Sequence, residues 1–282
     1  MSTVDLAAIC FSGKQTRDFL QGMVTSDVST LGSSRLLPTL FCQQQGKVFA
    51  LGYLLERHGS VWFIAPQSHV VTVLKTLVPY CQLSRVQMQR VSVYCTAYHA
   101  DDCSHTPLVI CDHTQTDFSF FLGNRLKVSV SLQGADHTDS VEESTDWLVC
   151  LMQLGTPILT ESLLNRFTPN QLSLVPSAWV SLKKGCYCGQ EIIARTHHLG
   201  KVKKSLALLK SNQLTTQIDS GQTLQIDGYS SSFSVLMACH AGDDFFIQIV
   251  GPNLSRSDTH MVLLLPDGQR IIALRCLPAM AK

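Results

Sequence analysis

Hydrophobic residues follow two successive patterns along the chain. The stretch KVFALGYLLERHGSVWFIAP (47–66) predicts two strands around a turn at His58-Gly59-Ser60. Residues 67–80 then carry valines and leucines at helical spacing, and more strand-like runs follow near 83–89, 91–98, 108–112, 117–122 and 126–132. Strands, a helix and further strands predict a split α+β unit.

Two other helices and a β-rich C-terminus are predicted from local signals. Ser12 resembles an N-cap for a short helix that ends at Gly22, and Ser140 with Glu143 forms a capping box for a helix that ends at Gly155. Beyond about residue 200 the apolar runs are all strand-like: SLALLK, GQTLQIDG, SFSVLMACH, FFIQIV and HMVLLLPDGQRIIALRCL. A small C-terminal β-domain follows from this pattern.

Composition places the chain among compact globular proteins. Of its 282 residues, 45% are hydrophobic and 15% are charged, against roughly 25% charged in an average domain. The N-terminus lacks a basic segment followed by a long apolar run, and no apolar run approaches the roughly 18–20 residues of a membrane span. We therefore expect a soluble, cytoplasmic protein.

The cysteines predict reduced thiols and no disulfide framework. The chain has 11 cysteines, an odd number at scattered positions, and no CxxC pair that would indicate a structural zinc site. Cys186 and Cys188 stand apart, because they lie between two glycines in KKGCYCGQEIIAR (183–195). Metal ligation by this pair with His197 and His198 is conceivable, but spacing alone gives it little support, and we predict no metal site.

Positive charge is concentrated around the same motif. Residues 183–204 contain five lysines and one arginine against a single carboxylate, Glu191, which gives this stretch a charge of +5 in a chain of net charge +1. Such a patch attracts an anionic ligand or nucleic acid, although a basic surface without a ligand has the same composition. A helix that begins near Gln190 would direct free N–H groups to this place, and it or the lysines could lower the thiol pKa of Cys186.

The motif resembles the signature of the YgfZ family, commonly written K-G-C-[FY]-x-G-Q-E-[VI]-x-A-R, and Gly200-Lys201 continues it. Cys188 stands where that family usually has a threonine or another small residue. The resemblance covers most of the chain up to about residue 210. Its supporting blocks are FLQGMVTSDV (19–28), CQQQGKV (42–48), LGTPI (154–158) and FTPNQLSL (167–174).

The resemblance implies an α+β, aminomethyltransferase-like fold. Two α+β (ferredoxin-like) domains and a C-terminal antiparallel β-barrel would surround a central cavity. We expect residues 1–45 with 140–200 to form the first domain, which carries the signature. Residues 46–139 would form the second domain and 201–282 the barrel.

The resemblance also implies a tetrahydrofolate-type cofactor and a functional thiol at Cys186. Five further residues match the signature and are candidate contacts of the cofactor: Lys184, Tyr187, Gln190, Glu191 and Arg195. A carboxylate such as Glu191 or Asp27 would pair with the pterin edge, and a basic side chain such as Lys184, Lys201 or Arg195 would suit the anionic glutamate tail. Asp27 and Glu191 would serve equally well as turn and helix caps, and Tyr187 as a core residue.

Three functions remain open from the sequence. The first is a folate-binding accessory protein that supports assembly or repair of iron–sulfur enzymes and thereby tRNA modification. The second is a tRNA-binding module that uses the 183–204 patch. The third is a folate-dependent aminomethyltransferase. If the protein catalyses a reaction, we expect a folate-dependent one-carbon transfer. This third function is disfavoured, because Ala50 and Leu51 stand where the transferase has an acidic pair and Cys186 stands in place of an aspartate.

Overall fold

The computed structural model describes residues 6–99, 108–114, 117–122, 126–131, 146–213, 217–255, 259–265 and 268–276. Within these ranges the helices are α1 (Thr16–Met23), α2 (Gln67–Ser84), α3 (Asp146–Gln153) and α4 (Gln190–Leu199). The strands before α3 are β1 (Leu6–Ser12), β2 (Leu37–Cys42), β3 (Val48–Arg57), β4 (Ser60–Pro66), β5 (Gln87–Ser92), β6 (Tyr94–His99), β7 (Ile110–His113), β8 (Asp117–Leu122) and β9 (Leu126–Ser131). Those after α4 are β10 (Lys204–Ser211), β11 (Thr223–Ile226), β12 (Phe233–Ala241), β13 (Asp244–Pro252), β14 (His260–Leu264) and β15 (Arg270–Cys276).

The chain forms two compact units. The first comprises Met1–Ser144 and Leu174–Ala194, and the second Thr145–Ser173 and Arg195–Lys282. The three-part division expected from the sequence stays a prediction. Its boundary at residue 45/46 falls in the turn between β2 and β3, which pair as an antiparallel hairpin.

The first unit is built on a five-stranded antiparallel sheet in the order β2-β3-β4-β1-β5. Helix α2 covers one face of this sheet, and its buried side chains Val70, Val73 and Leu77 join a core that includes Phe11 and Phe63. Burial of these large apolar side chains supplies the main stabilisation of the unit.

A second sheet in the same unit has the order β6-β9-β8-β7. Backbone hydrogen bonds of 2.9 Å connect it to the chain before β2, from Leu36 N to Leu108 O and from Ile110 N to Ser34 O. The buried guanidinium of Arg57 also donates to the carbonyl oxygens of Thr114 and Asp117. These contacts fix the second sheet against the first.

The second unit contains a closed six-stranded antiparallel barrel in the order β10-β13-β12-β11-β14-β15. Side chains alternate along β13, so that Ile247 and Ile249 fill the interior while Gln248 lies on the outer face. The fully buried Gln248 amide donates to Thr156 O and accepts from Ile158 N, both at 2.8 Å. This bond pair attaches the 156–158 segment to the barrel wall.

The predicted elements are largely confirmed, with shifted ends. The β3–β4 hairpin, the C-terminal strands and the start of α4 occur where the pattern placed them. Ser12 does not cap α1, because it pairs with Gln87 as the last residue of β1, and the helix begins at Thr16 and continues through Gly22. The strand expected from residue 83 begins at Gln87, because α2 extends to Ser84 and ends at Arg85 in a left-handed conformation (φ 52°).

Other expectations concern positions that the structure does not describe. The capping box of Ser140 and Glu143 lies outside the described residues, although α3 itself and the stop at Gly155 (φ 76°) are present. Among the described helices, none has the length and apolar character needed to cross a membrane.

Candidate functional site

The signature loop, residues 181–189, turns sharply into α4. Gly189 has φ 84°, and a Cβ atom there would lie 2.6 Å from the carbonyl oxygen of Gln43 and 3.3 Å from the Cβ of Cys42. Glycine is therefore required at this position. At Gly185, by contrast, a Cβ would meet no protein atom within 4 Å.

Gln190 stabilises the loop from the first turn of α4. Its Oε1 accepts from the backbone N–H of Tyr187 at 3.3 Å, and its Nε2 lies 3.5 Å from the carbonyl oxygen of Lys184. These bonds occupy the amide with the loop backbone. Its assignment as a cofactor contact stays a prediction.

Lys184 is buried, with 8% of its surface exposed. Its ammonium group donates to the carbonyl oxygens of Val24 at 2.9 Å and Ser26 at 2.7 Å, and lies 5.2 Å from the ring centroid of Tyr187. Burial lowers the pKa of this lysine from 10.5 to about 8, and the nearby Asp27 carboxylate opposes that shift.

Asp27 lies in the turn that follows these two carbonyl groups. Its Oδ1 accepts from Gln21 Nε2 at 2.9 Å, from Ser29 N at 3.0 Å and from Ser29 Oγ at 2.8 Å. The Gln21 bond, with those from Ser29, lowers the carboxyl pKa below 3.8, and Asp27 is ionised at neutral pH. The carboxylate thus caps the turn through Oδ1, whereas Oδ2 accepts none of these three bonds.

Tyr187, within the signature loop, is buried, with 6% of its surface exposed. Its hydroxyl is buried without a hydrogen-bond partner, and burial raises its pKa. An unpaired buried hydroxyl is costly, so the side chain has an unmet capacity to donate a hydrogen bond. Core packing is the observed state of the ring, and a contact with a cofactor stays a prediction.

The two signature cysteines have different environments. Cys186 is exposed, whereas Cys188 is half-buried and its thiol pKa is raised by that burial. The backbone N–H of Cys188 donates to Gly22 O at 3.2 Å, which holds the loop beside the end of α1. Cys42 is buried close to Gly189, and burial with the neighbouring Cys188 raises its thiol pKa.

The remaining predicted residues occur on and after α4. Glu191 is exposed in the first turn of the helix, within the first unit, and Arg195 is exposed further along, at the start of the second unit. Lys201, Lys203 and Lys204 are exposed as well. Among the described residues, no group of three or more His, Cys, Asp or Glu side chains is arranged to hold a metal ion.

Sequence reasoning missed two polar residues that shape this site. Gln21 binds Asp27 and also accepts from Val28 N at 2.7 Å, and Thr25 donates through Oγ1 to Trp179 O at 2.6 Å. Both lie in the block FLQGMVTSDV, so its resemblance to the family was the available signal.

The acidic pair that the transferase hypothesis needs is absent from β3. Ala50 is fully buried in the core and Leu51 is 5% exposed. Neither side chain carries an acid or base, and the backbone of Leu51 is hydrogen-bonded to the buried imidazole of His69. The side chains of Ala50 and Leu51 therefore offer no proton-transfer group.

Comparison with known proteins identifies relatives over most of the chain. No family model matches it. The chain is 28% identical over 228 residues to the tRNA-modifying protein YgfZ of Colwellia psychrerythraea, a match that covers 73% of this chain and 70% of that protein. It is 25% identical over 284 residues to the tRNA-modifying protein YgfZ of Klebsiella pneumoniae, with 92% and 86% covered.

Among solved structures, the chain is similar to the glycine cleavage system aminomethyltransferase T from Bartonella henselae. The TM-score is 0.68, and the match covers 97% of this chain and 83% of that one. Sequence identity is 12%, so this likeness concerns the fold. The chain is therefore similar to proteins of the YgfZ family, as its signature predicts, and it has the aminomethyltransferase-like fold.

Proposed function

We propose that this protein is an accessory factor of tRNA modification that binds a tetrahydrofolate-type cofactor and acts through the Cys186 thiol to support iron–sulfur enzymes. The observation that carries the proposal is the position of the signature loop. It presents an exposed Cys186 and is hydrogen-bonded to the segment that leads into Asp27. The names of the YgfZ relatives support the link to tRNA modification.

The residues present fit a folate. Asp27 is ionised and has one carboxylate oxygen outside its turn-capping bonds, and Glu191 is an exposed carboxylate. Glu191 can accept the paired donors of a pterin edge, as a carboxylate accepts from a guanidinium, and Oδ2 of Asp27 can accept one charge-assisted hydrogen bond from that edge. When bound, the cofactor would supply one-carbon chemistry. The protein's own residues would bind and orient it.

The first experiment is a calorimetric titration of the reduced protein with tetrahydrofolate. We expect saturable binding that Asp27→Ala weakens about tenfold or more, because a charge-assisted contact is lost. Glu191→Ala runs alongside as the second candidate carboxylate. Asp18→Ala, an exposed carboxylate on α1, is the matched control and should leave the affinity unchanged. Absence of saturable binding by the unaltered protein would refute the folate part of the proposal.

The thiol role is tested in cells that lack the native protein. Cys186→Ala should abolish support of iron–sulfur enzymes and of the dependent tRNA modifications, with the fold and folate affinity retained. Cys188→Ala, two residues away, is the control and should still support them. Full rescue by Cys186→Ala would exclude a function of this thiol.

A second candidate is direct tRNA binding, which the exposed Lys201, Lys203 and Lys204 favour. Each phosphate contact contributes about −0.9 to the slope of log affinity against log salt for duplex nucleic acid. Replacing all three lysines by glutamine should therefore reduce the salt dependence of tRNA binding markedly. An unchanged slope would show that these residues do not contact RNA.

A further inference from the structure

The signature loop and residues 22–26 run beside each other in opposite directions. Cys188 N donates to Gly22 O at 3.2 Å, Ser181 N donates to Thr25 O at 2.9 Å, and Thr25 Oγ1 donates to Trp179 O at 2.6 Å. All of these groups belong to the first unit. The segment that precedes Asp27 is therefore shaped by the loop that carries Cys186.

Lys184 supplies the side-chain part of this contact. Its ammonium group bonds the carbonyl oxygens of Val24 and Ser26, the residues on either side of Thr25, and is buried with them. A buried ammonium without partners is costly, so these two bonds stabilise both the lysine and the local backbone conformation. To contact a ligand, the Lys184 ammonium group would have to break both of these hydrogen bonds and move away from the two carbonyl oxygens.

We propose that Lys184 is a positioning residue, which holds the 24–26 backbone and thereby the Asp27 carboxylate, and that it makes no contact with the ligand. The proposal rests on the proposed function, because it takes Asp27 as the pterin-binding group. It departs from the expectation that Lys184 pairs with the glutamate tail. Gln21 and Ser29 orient the Asp27 carboxylate locally, whereas Lys184 fixes the chain from which it projects.

The variant Lys184→Met tests this role, because it keeps the length of the stem and removes the ammonium donors. Lys183→Met is the matched control, since the preceding lysine is exposed. Lys184→Arg keeps a positive charge and several donors, so it should recover part of any loss.

Two ligands separate positioning from contact with the tail. Tetrahydrofolate carries the anionic glutamate, and tetrahydropteroate lacks it. Positioning predicts that Lys184→Met weakens both by a similar factor of about fivefold or more. Weakening of tetrahydrofolate alone would show that Lys184 contacts the tail and would overturn the proposal.

A double-mutant cycle tests whether Lys184 acts through Asp27. In an Asp27→Ala background, Lys184→Met should have little further effect on affinity, because the group that it positions is already gone. A general loss of folding would instead weaken binding in both backgrounds. Equal effects in the two backgrounds would refute a role through Asp27.

A measurement without ligand keeps the proposal independent of folate binding. In the free protein, hydrogen exchange at Val28 and Ser29, whose N–H groups bond Gln21 and Asp27, should be about tenfold faster in Lys184→Met than in Lys183→Met. Exchange in β13 of the second unit should not change. If the unaltered protein does not bind folate, the folate part of the proposed function fails, and this exchange result still decides whether Lys184 holds the backbone that leads to Asp27. Unchanged exchange at Val28 and Ser29 would overturn it.

Discussion

The ammonium group of Lys184 lies 2.7 Å from the carbonyl oxygen of Ser26, although 158 residues separate the two along the chain. This bond brings the lysine of the signature to the residue that immediately precedes Asp27. It also buries a group that would otherwise be solvated. The energetic consequences of that burial can be measured.

The stability of the protein should depend on pH through Lys184. Its pKa is about 8 in the folded protein, against 10.5 for an unperturbed lysine. Between these values the unfolded chain holds a proton that the folded chain has released, so the free energy of unfolding rises with pH across this window. The gain is fully present above about pH 10.5 and is lost as the pH falls to about 8.

Urea denaturation of the unaltered protein and Lys184→Met, from pH 7 to 10.5, isolates this effect. The difference in unfolding free energy between them should shift by on the order of 2 kcal/mol across the window. Asp27 remains ionised throughout, and burial keeps the Tyr187 hydroxyl protonated. A difference that does not change with pH would contradict the buried environment of Lys184.

Gly189→Ala should destabilise the first unit by about 2–3 kcal/mol. The alanine backbone would have to adopt a φ of 84°, and its methyl carbon would lie 2.6 Å from the Gln43 carbonyl oxygen. Gly185→Ala is the control, because a methyl group there meets nothing within 4 Å, and it should change stability by less than about 0.5 kcal/mol. Equal midpoints in urea for the two variants would contradict the described turn.

Alkylation should distinguish the thiols by exposure. With iodoacetamide at pH 8, Cys186 should react first, because it is exposed. Cys81 should remain protected, since it is buried and its thiol pKa is raised to about 11. Mass spectrometry of peptides over time measures the rates. Labelling of Cys188 as fast as Cys186 would mean that both signature thiols are reactive.

Gln248→Leu should destabilise the second unit by about 2–4 kcal/mol. The substitution leaves the buried Thr156 carbonyl and Ile158 amide without their 2.8 Å partners. Gln225→Leu, at an exposed position of β11, is the matched control. Urea denaturation of both variants tests the prediction, and a Gln248→Leu midpoint equal to that of the control would refute it.

Local sequence signals were sufficient to predict many of the helices and strands. The His58-Gly59 turn, the strands on either side of it and the start of α4 depend on periodicity and on glycine at positive φ, which are properties of neighbouring residues. The ends of α1 and α2 were misplaced. At Ser12, pairing with β5 outweighed the local capping signal.

The sequence by itself determined the likeness to the YgfZ family and the position of the two signature thiols between two glycines, because these are carried by residue identity and short spacing. Tertiary structure decided the state of each side chain at the site. Lys184 is basic in the sequence, but its burial against the carbonyl groups of Val24 and Ser26 makes it a structural donor. Periodicity describes neighbours along the chain, whereas hydrogen bonds between segments some 160 residues apart exist only once the chain has folded.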